Sequence, residues 1–76
     1  MPFVTVRVVK GSLNQEKKEK MIAKVSEAVA EVEADPYPKE KILPYVWCQI
    51  VEMDEGNFGA GGNIYTIDNL KKRLSE

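Results

Sequence analysis

The stretch Phe3-Val4-Thr5-Val6-Arg7-Val8-Val9 is β-branched at almost every position. Such side chains pack well on a pleated strand and lose rotamer freedom in a helix. Successive side chains of a strand point to opposite faces, so Val4, Val6 and Val8 share one face and Phe3, Thr5, Arg7 and Val9 the other. The first face is uniformly apolar and requires cover. Downstream, Lys10-Gly11-Ser12 interrupts the strand, and Ser12 followed by Gln15 has the capping-box spacing that satisfies free amides at a helix start. A helix is predicted from Leu13 to Ala34. Met21, Ile22, Val25, Ala28, Val29 and Val32 recur in it at steps of three and four, while Lys17, Lys20, Lys24, Glu27 and Glu31 fall mostly elsewhere around the wheel. That apolar stripe is expected to face the core.

Asp35-Pro36-Tyr37-Pro38 ends the helix, because each proline lacks an amide donor and disfavours helical geometry in the residue before it. Lys39 to Leu43 is expected to form one short turn. After Pro44, Tyr45 to Met53 reads as a second strand, with Val46, Cys48 and Ile50 on one face and Tyr45, Trp47, Gln49 and Val51 on the other. Strand, helix and strand make a βαβ unit, whose crossover is right-handed and whose strands are parallel. The predicted class is therefore α+β, with one long helix lying over the Val4/Val6/Val8 and Val46/Cys48/Ile50 face. The tail carries Gly56-Asn57-Phe58-Gly59-Ala60-Gly61-Gly62, and Ile64 to Leu74 has the mixed pattern of a hairpin arm followed by a short helix. No internal repeat or linker interrupts residues 1–76, which are read as a single domain.

At 76 residues such a domain buries only about 60% of the surface its unfolded chain exposes. Chains below about 80 residues commonly make up the shortfall with disulfides, a metal or partner subunits. One cysteine excludes an internal disulfide, and the absence of histidine argues against a zinc site of the usual Cys/His type. Self-association is the remaining remedy, and it would also cover the second sheet face and the two strand edges. Eleven basic against twelve acidic residues give a net charge of -1, which supplies no electrostatic footprint for nucleic acid or an anionic membrane. The apolar runs are far shorter than the roughly 20 residues of a membrane span, and the chain start lacks the pattern of a signal peptide. A cytoplasmic location is expected, in keeping with the single thiol of Cys48, which reads as a small core residue beneath the helix.

Little in the sequence offers familiar catalytic chemistry. Without histidine there is no Ser/His/Asp or Cys/His relay. The helix carboxylates alternate with lysines as on a solvated surface. Gly59-Ala60-Gly61-Gly62 lacks the Lys-Ser/Thr ending and following helix of a phosphate loop and reads as a backbone turn. Pro2 is different. Removal of the initiator methionine, which a following proline permits, would leave a secondary amine at the mouth of the first strand. An α-amino group titrates near 8, and an apolar pocket or a neighbouring cation lowers that value towards neutrality, where proton transfer is efficient. A retained Met1 would convert the amine into an amide and abolish the base.

In order and spacing, MPFVTVRVVKG, KMIAKVSEAVAE and VEMDEGNFGAGG resemble the 4-oxalocrotonate tautomerase family over roughly residues 2 to 62. The Pro2 start and the Asn57-Phe58-Gly59-x-Gly61-Gly62 turn carry most of that resemblance. It implies a βαβ fold completed by oligomerisation, commonly a hexamer built as a trimer of dimers. It further implies a keto-enol tautomerase that needs no metal or cofactor and uses the N-terminal proline as general base on a small enol or dienol keto acid. By the same resemblance Pro2 is the base and Phe58 lines an apolar pocket.

The two arginines that bind substrate carboxylate and carbonyl groups in that family have no counterpart. The first position falls at Ser12-Leu13 and the second on Trp47, and the loop from Asp35 to Pro44 is longer than usual. Neither serine nor tryptophan reproduces the paired donors that an arginine offers a carboxylate, so a substrate with one carboxylate is expected. The remaining substrate-binding candidates are Trp47, through its indole donor and flat face, Tyr45 on the same predicted face, Lys10 at the strand end and Arg7 on the face away from the helix. Tail cations such as Lys71 or Arg73 are a further source of charge. Two alternatives stand beside the tautomerase reading: a non-catalytic oligomeric or ligand-binding member, and a dehalogenase, hydratase or decarboxylase of the same superfamily.

Overall fold

The computed structural model describes the whole chain, Met1–Glu76. Its frame is the expected unit: β1 (Phe3–Val9), α1 (Gln15–Ala34) and β2 (Trp47–Met53), with β1 and β2 paired in parallel from Phe3 opposite Trp47 to Val9 opposite Met53. The predicted alternation holds as far as Val8 and Ile50, but Val9 and Val51, expected on the open face, are buried and half-buried respectively. Val4, Val6, Val8, Cys48 and Ile50 are half-buried, whereas Phe3, Thr5, Arg7, Trp47 and Gln49 are exposed.

Three expectations are corrected. First, α1 begins at Gln15 rather than Leu13, and its cap is Asn14 rather than Ser12. The Asn14 Oδ1 accepts the Lys17 amide at 2.8 Å, while the Ser12 hydroxyl donates to the Val9 carbonyl at 2.7 Å and closes the turn leaving β1. Asparagine is as good a cap as serine, and it stands two residues closer to the helix.

Second, β2 begins at Trp47 rather than Tyr45. The residues before it form two short 3-10 turns, Lys39–Lys41 and Leu43–Tyr45, where a single turn was expected. The Tyr45 and Val46 amides donate to the Ile42 and Leu43 carbonyls at 2.8 and 3.2 Å, so neither is free to extend the sheet. The alternation that would put Tyr45 on Trp47's face stops short of it.

Third, the most buried side chains of α1 are not its largest apolar ones. Its buried positions are Ser26, Ala30 and Ala34, spaced by four, with Ile22 half-buried in the same row. Small side chains let the helix axis approach the strands closely. Met21, Val25 and Val29 are half-buried like Ile22, whereas Ala28 and Val32 are exposed, Val32 to 80%. Lys18 ties the helix to the sheet through an ion pair with Glu52 at 2.7 Å, and Lys39 pairs with Glu27 beside the long connection.

Beyond β2 the chain builds an arm. β3 (Gly59–Ala60) and β4 (Asn63–Ile64) pair antiparallel, and α2 (Ile67–Leu74) follows. Gly61 and Gly62, the two residues between the strands, have φ of 61° and 82°. Positive φ at both central positions matches a type I′ hairpin turn, whose twist suits the flanking strands. The hairpin arm and short helix expected of the tail are thus present. Thr66 caps α2 by accepting the Asn69 amide at 3.2 Å, and Lys71, Lys72 and Arg73 occupy its last turn, where cations suit the helix dipole.

Very little of this protomer is sealed from water. Only Val9, Ser26, Ala30 and Ala34 are buried, and no large side chain is fully enclosed. The radius of gyration is 15.4 Å, against about 11 Å for a compact chain of this length. The arm accounts for that extension. No helix is long and apolar enough to cross a membrane.

Candidate functional site

Pro2 sits at the start of β1, half-buried, and its carbonyl accepts the Trp47 amide at 3.0 Å. This bond continues the parallel ladder one residue beyond Phe3 and fixes the backbone from which the Pro2 nitrogen projects. In this structure Met1 precedes it, so that nitrogen is an amide. The Phe3 and Trp47 rings stack with centroids 6.3 Å apart and planes 21° from parallel. Both residues are 62% exposed. By strand alternation Pro2 shares the face of Val4, and the stacked rings mark the other face of the same strand end.

Phe58 lies elsewhere. It follows Met53, which pairs with Val9 at the other end of the sheet. Seven residues at about 3.3 Å each put roughly 20 Å between the two ends. Within the arm, Phe58 packs on Tyr65 with ring centroids 5.9 Å apart, and its carbonyl accepts the Tyr65 amide at 2.8 Å. Gly59 is fixed here by space, since a Cβ would stand 2.7 Å from the Asn63 carbonyl oxygen across the hairpin. One protomer consequently does not bring Pro2 and Phe58 together.

The other candidates divide between these ends. Trp47 accompanies Pro2, and Tyr45 precedes it in the 3-10 turn, exposed. Lys10 is at the far end, its amide donating to the Met53 carbonyl at 2.7 Å. Arg7 is in mid-strand opposite Val51, on the exposed sheet face, with no carboxylate within ion-pair distance. Five residues of extended chain separate it from Pro2, about 16 Å, too far for direct contact within the protomer. The Glu52 carboxyl is held below the ordinary carboxylate range by its hydrogen bond from Lys18, with lesser help from the Gly11 amide and the Lys10 charge. Lys10 thus has an acidic neighbour of its own.

Reading the sequence for strands and helices missed one local cluster. The Arg73 guanidinium lies over the ring of Tyr65, the residue that also meets Phe58, 4.9 Å from the ring centroid. A cleft of about 240 Å³ opens there, lined by Asn63, Tyr65, Asn69, Lys72, Arg73 and Glu76 among others. The sequence signal that could have found it is the capped, basic-ended pattern of α2, which sets Arg73 eight residues after Tyr65.

The sequence matches the family described as Tautomerase enzyme over residues 2–43. Among solved structures, an apo unfused 4-OT is similar with a TM-score of 0.69 and 28% identity, covering 84% of this chain and 93% of that one. YwhB, a homologue of 4-oxalocrotonate tautomerase, gives 0.60 and 30% identity over 83% and 92% of the two chains. DmpI from Helicobacter pylori gives 0.60 and 28% identity over 83% and 94%. No curated protein matches the sequence.

Proposed function

The chain belongs to the tautomerase family, and from that premise we propose that it is a keto-enol tautomerase whose base is the amine of Pro2, freed by removal of Met1. The observation that carries the reading is the position of Pro2. It stands at the first residue of the family match, held by the Trp47 amide at the open end of β1 beside the Phe3–Trp47 stack.

In the reaction the neutral amine takes the proton of an enol hydroxyl. The oxygen electrons form the carbonyl, the double bond shifts, and the resulting ammonium returns the proton to carbon. Atoms and charge balance with no other reactant. A base with a pKa near the working pH is suited to both halves of this transfer.

The apolar wall comes from Phe58. Because Pro2 and Phe58 leave the sheet at opposite ends, a pocket holding both takes them from two copies of the chain. Assembly is supported independently by the thin core, the exposed Val32 on α1 and the exposed Phe3–Trp47 face. A hexamer, as a trimer of dimers, is the expected state. The substrate class is a small enol or keto acid with one carboxylate, since neither family arginine is present at Ser12-Leu13 or Trp47.

Replacing Pro2 with alanine tests the reading. A primary amine differs from proline in basicity and geometry, so kcat/KM for phenylenolpyruvate should fall by about 10²-fold while the sedimentation profile stays unchanged. Undiminished turnover by Pro2→Ala would remove the proline from the mechanism.

A further inference from the structure

We propose that Arg73, presented by α2 over Tyr65, is the residue that binds the substrate's carboxylate. This rests on the reading of Phe58 as the wall of a pocket shared with a neighbouring Pro2, and it assigns the charge that the missing arginines leave unsupplied.

Phe58 and Arg73 both contact Tyr65: the Phe58 ring is tilted 49° to it with centroids 5.9 Å apart, and the guanidinium carbon lies 4.9 Å from the Tyr65 ring centre. Wherever the arm carries Phe58, Arg73 travels with it. The Tyr65 amide bond to the Phe58 carbonyl and the Gly61-Gly62 turn make the hairpin short, and the Thr66 cap starts α2 immediately after Tyr65. A guanidinium over an aromatic face keeps its N–H donors in a fixed fork, a geometry that suits a planar anion.

The other cations compare poorly. Lys18 and Lys39 are already paired with Glu52 and Glu27, Lys10 has Glu52 nearby, and Arg7 is in mid-sheet. Arg73 has no carboxylate within ion-pair distance.

The cleft beside it has matching chemistry. Lys72 and Arg73 outweigh Glu76 in charge, and Asn63 and Asn69 add neutral amides. At about 240 Å³ it is smaller than the roughly 300–1,000 Å³ of a complete small-molecule site. Phe58 meets Tyr65 but does not line the cleft, which suits a carboxylate head whose unsaturated body leaves past Tyr65 towards a partner's surface. The ligand class is a planar, conjugated monocarboxylate.

The experiment measures binding and turnover separately on the assembled protein. Binding of trans-cinnamate, which has no enol to turn over, is followed by calorimetry for wild type, Arg73→Ala, Arg73→Lys and Lys71→Ala, with inorganic phosphate as a second ligand. Arg73→Ala should weaken cinnamate binding by about tenfold to a hundredfold, the loss of a charged hydrogen-bonding partner. It should raise KM for phenylenolpyruvate by a similar factor, with kcat within about twofold. Arg73→Lys keeps the charge without the fork and should fall between. Lys71→Ala removes the same charge from outside the cleft and should bind as wild type does.

Failure of wild type to bind cinnamate would overturn the proposal. So would equal binding by Arg73→Ala, an equal loss in Lys71→Ala, or phosphate binding as tight as cinnamate binding. Arg73-dependent cinnamate binding in a protein whose Pro2→Ala variant keeps full turnover would uphold the carboxylate site and sink the proline base alone.

Discussion

Replacing Phe3 with alanine should weaken assembly measurably, because the ring belongs to the sheet face that one protomer leaves open. Phe3 and Trp47 are directly opposite in the parallel register, stack on each other and are each 62% exposed. An aromatic side chain buries about 150–250 Å², so covering the exposed part of one removes roughly 90–150 Å² from water. At about 25 cal/mol per Å² this is worth about 2–4 kcal/mol per protomer. Association realises only part of such a figure, and half of it leaves about 1–2 kcal/mol. The dissociation constant of Phe3→Ala should therefore rise about five- to thirty-fold.

Trp47 is the chain's single tryptophan, so its emission reports the same face without added dye. Sedimentation velocity over a dilution series, read beside that emission, should show a blue-shifted spectrum in the assembled protein and a red shift as Phe3→Ala dissociates. A wild-type chain that sediments as a folded monomer at micromolar concentration, with Trp47 emitting as in water, would refute this reasoning.

Helix capping gives a second prediction: Asn14→Ala should cost about 1 kcal/mol and release the Lys17 amide to hydrogen exchange, while Ser12→Ala leaves that amide protected. Ala30→Leu should overpack the contact between α1 and the sheet by about 1–3 kcal/mol, lowering Tm by roughly 4 °C or more, whereas Ala23→Leu on the exposed side should shift it little. Stability should also respond to pH in a stated direction. The Lys39 and Lys18 hydrogen bonds lower the Glu27 and Glu52 carboxyls, so their contribution is present at neutral pH and fades as pH falls through and below about 4. Lys39 is raised by the bond it donates to Glu27, so its contribution fades only in strong alkali. Denaturation midpoints flat between pH 6 and 9 (about one unit clear of both ranges) and falling in acid would agree, and a midpoint rising in acid would not.

The frame was legible because its signals are local and periodic. Alternation of β-branched residues over Phe3–Val9 and prolines after Ala34 act within a few residues, and both matched the structure. The face of α1 was harder. Apolar periodicity ranks valine above alanine, yet the row against the sheet is the one whose side chains are small enough for close approach: Ser26, Ala30 and Ala34. The larger Met21, Val25 and Val29 are only half-covered in one protomer, and Val32 is exposed. The start of β2 failed for a different reason: alternation cannot register that the Tyr45 and Val46 amides are already bonded to Ile42 and Leu43.

At the candidate site, Pro2 was nominated by its potential terminal amine and by resemblance, Phe58 by resemblance alone, and Trp47 by the place it takes. What the sequence could not supply was their separation. Parallel pairing of β1 with β2 sends Pro2 and the Phe58 turn to opposite ends, which becomes visible only once the register is known. The Tyr65–Arg73 contact joins a hairpin to the last turn of a helix and depends on how the two meet.

The central claim is that Pro2 acts through a free secondary amine. Intact mass of the mature, active protein, measured on the same sample as its turnover of phenylenolpyruvate, tests it most directly. The account predicts a mass lower than that of the full sequence by one methionine residue, with proline found at the first position by N-terminal sequencing. A sample that retains Met1 throughout and still turns over the enol at the full rate would contradict it.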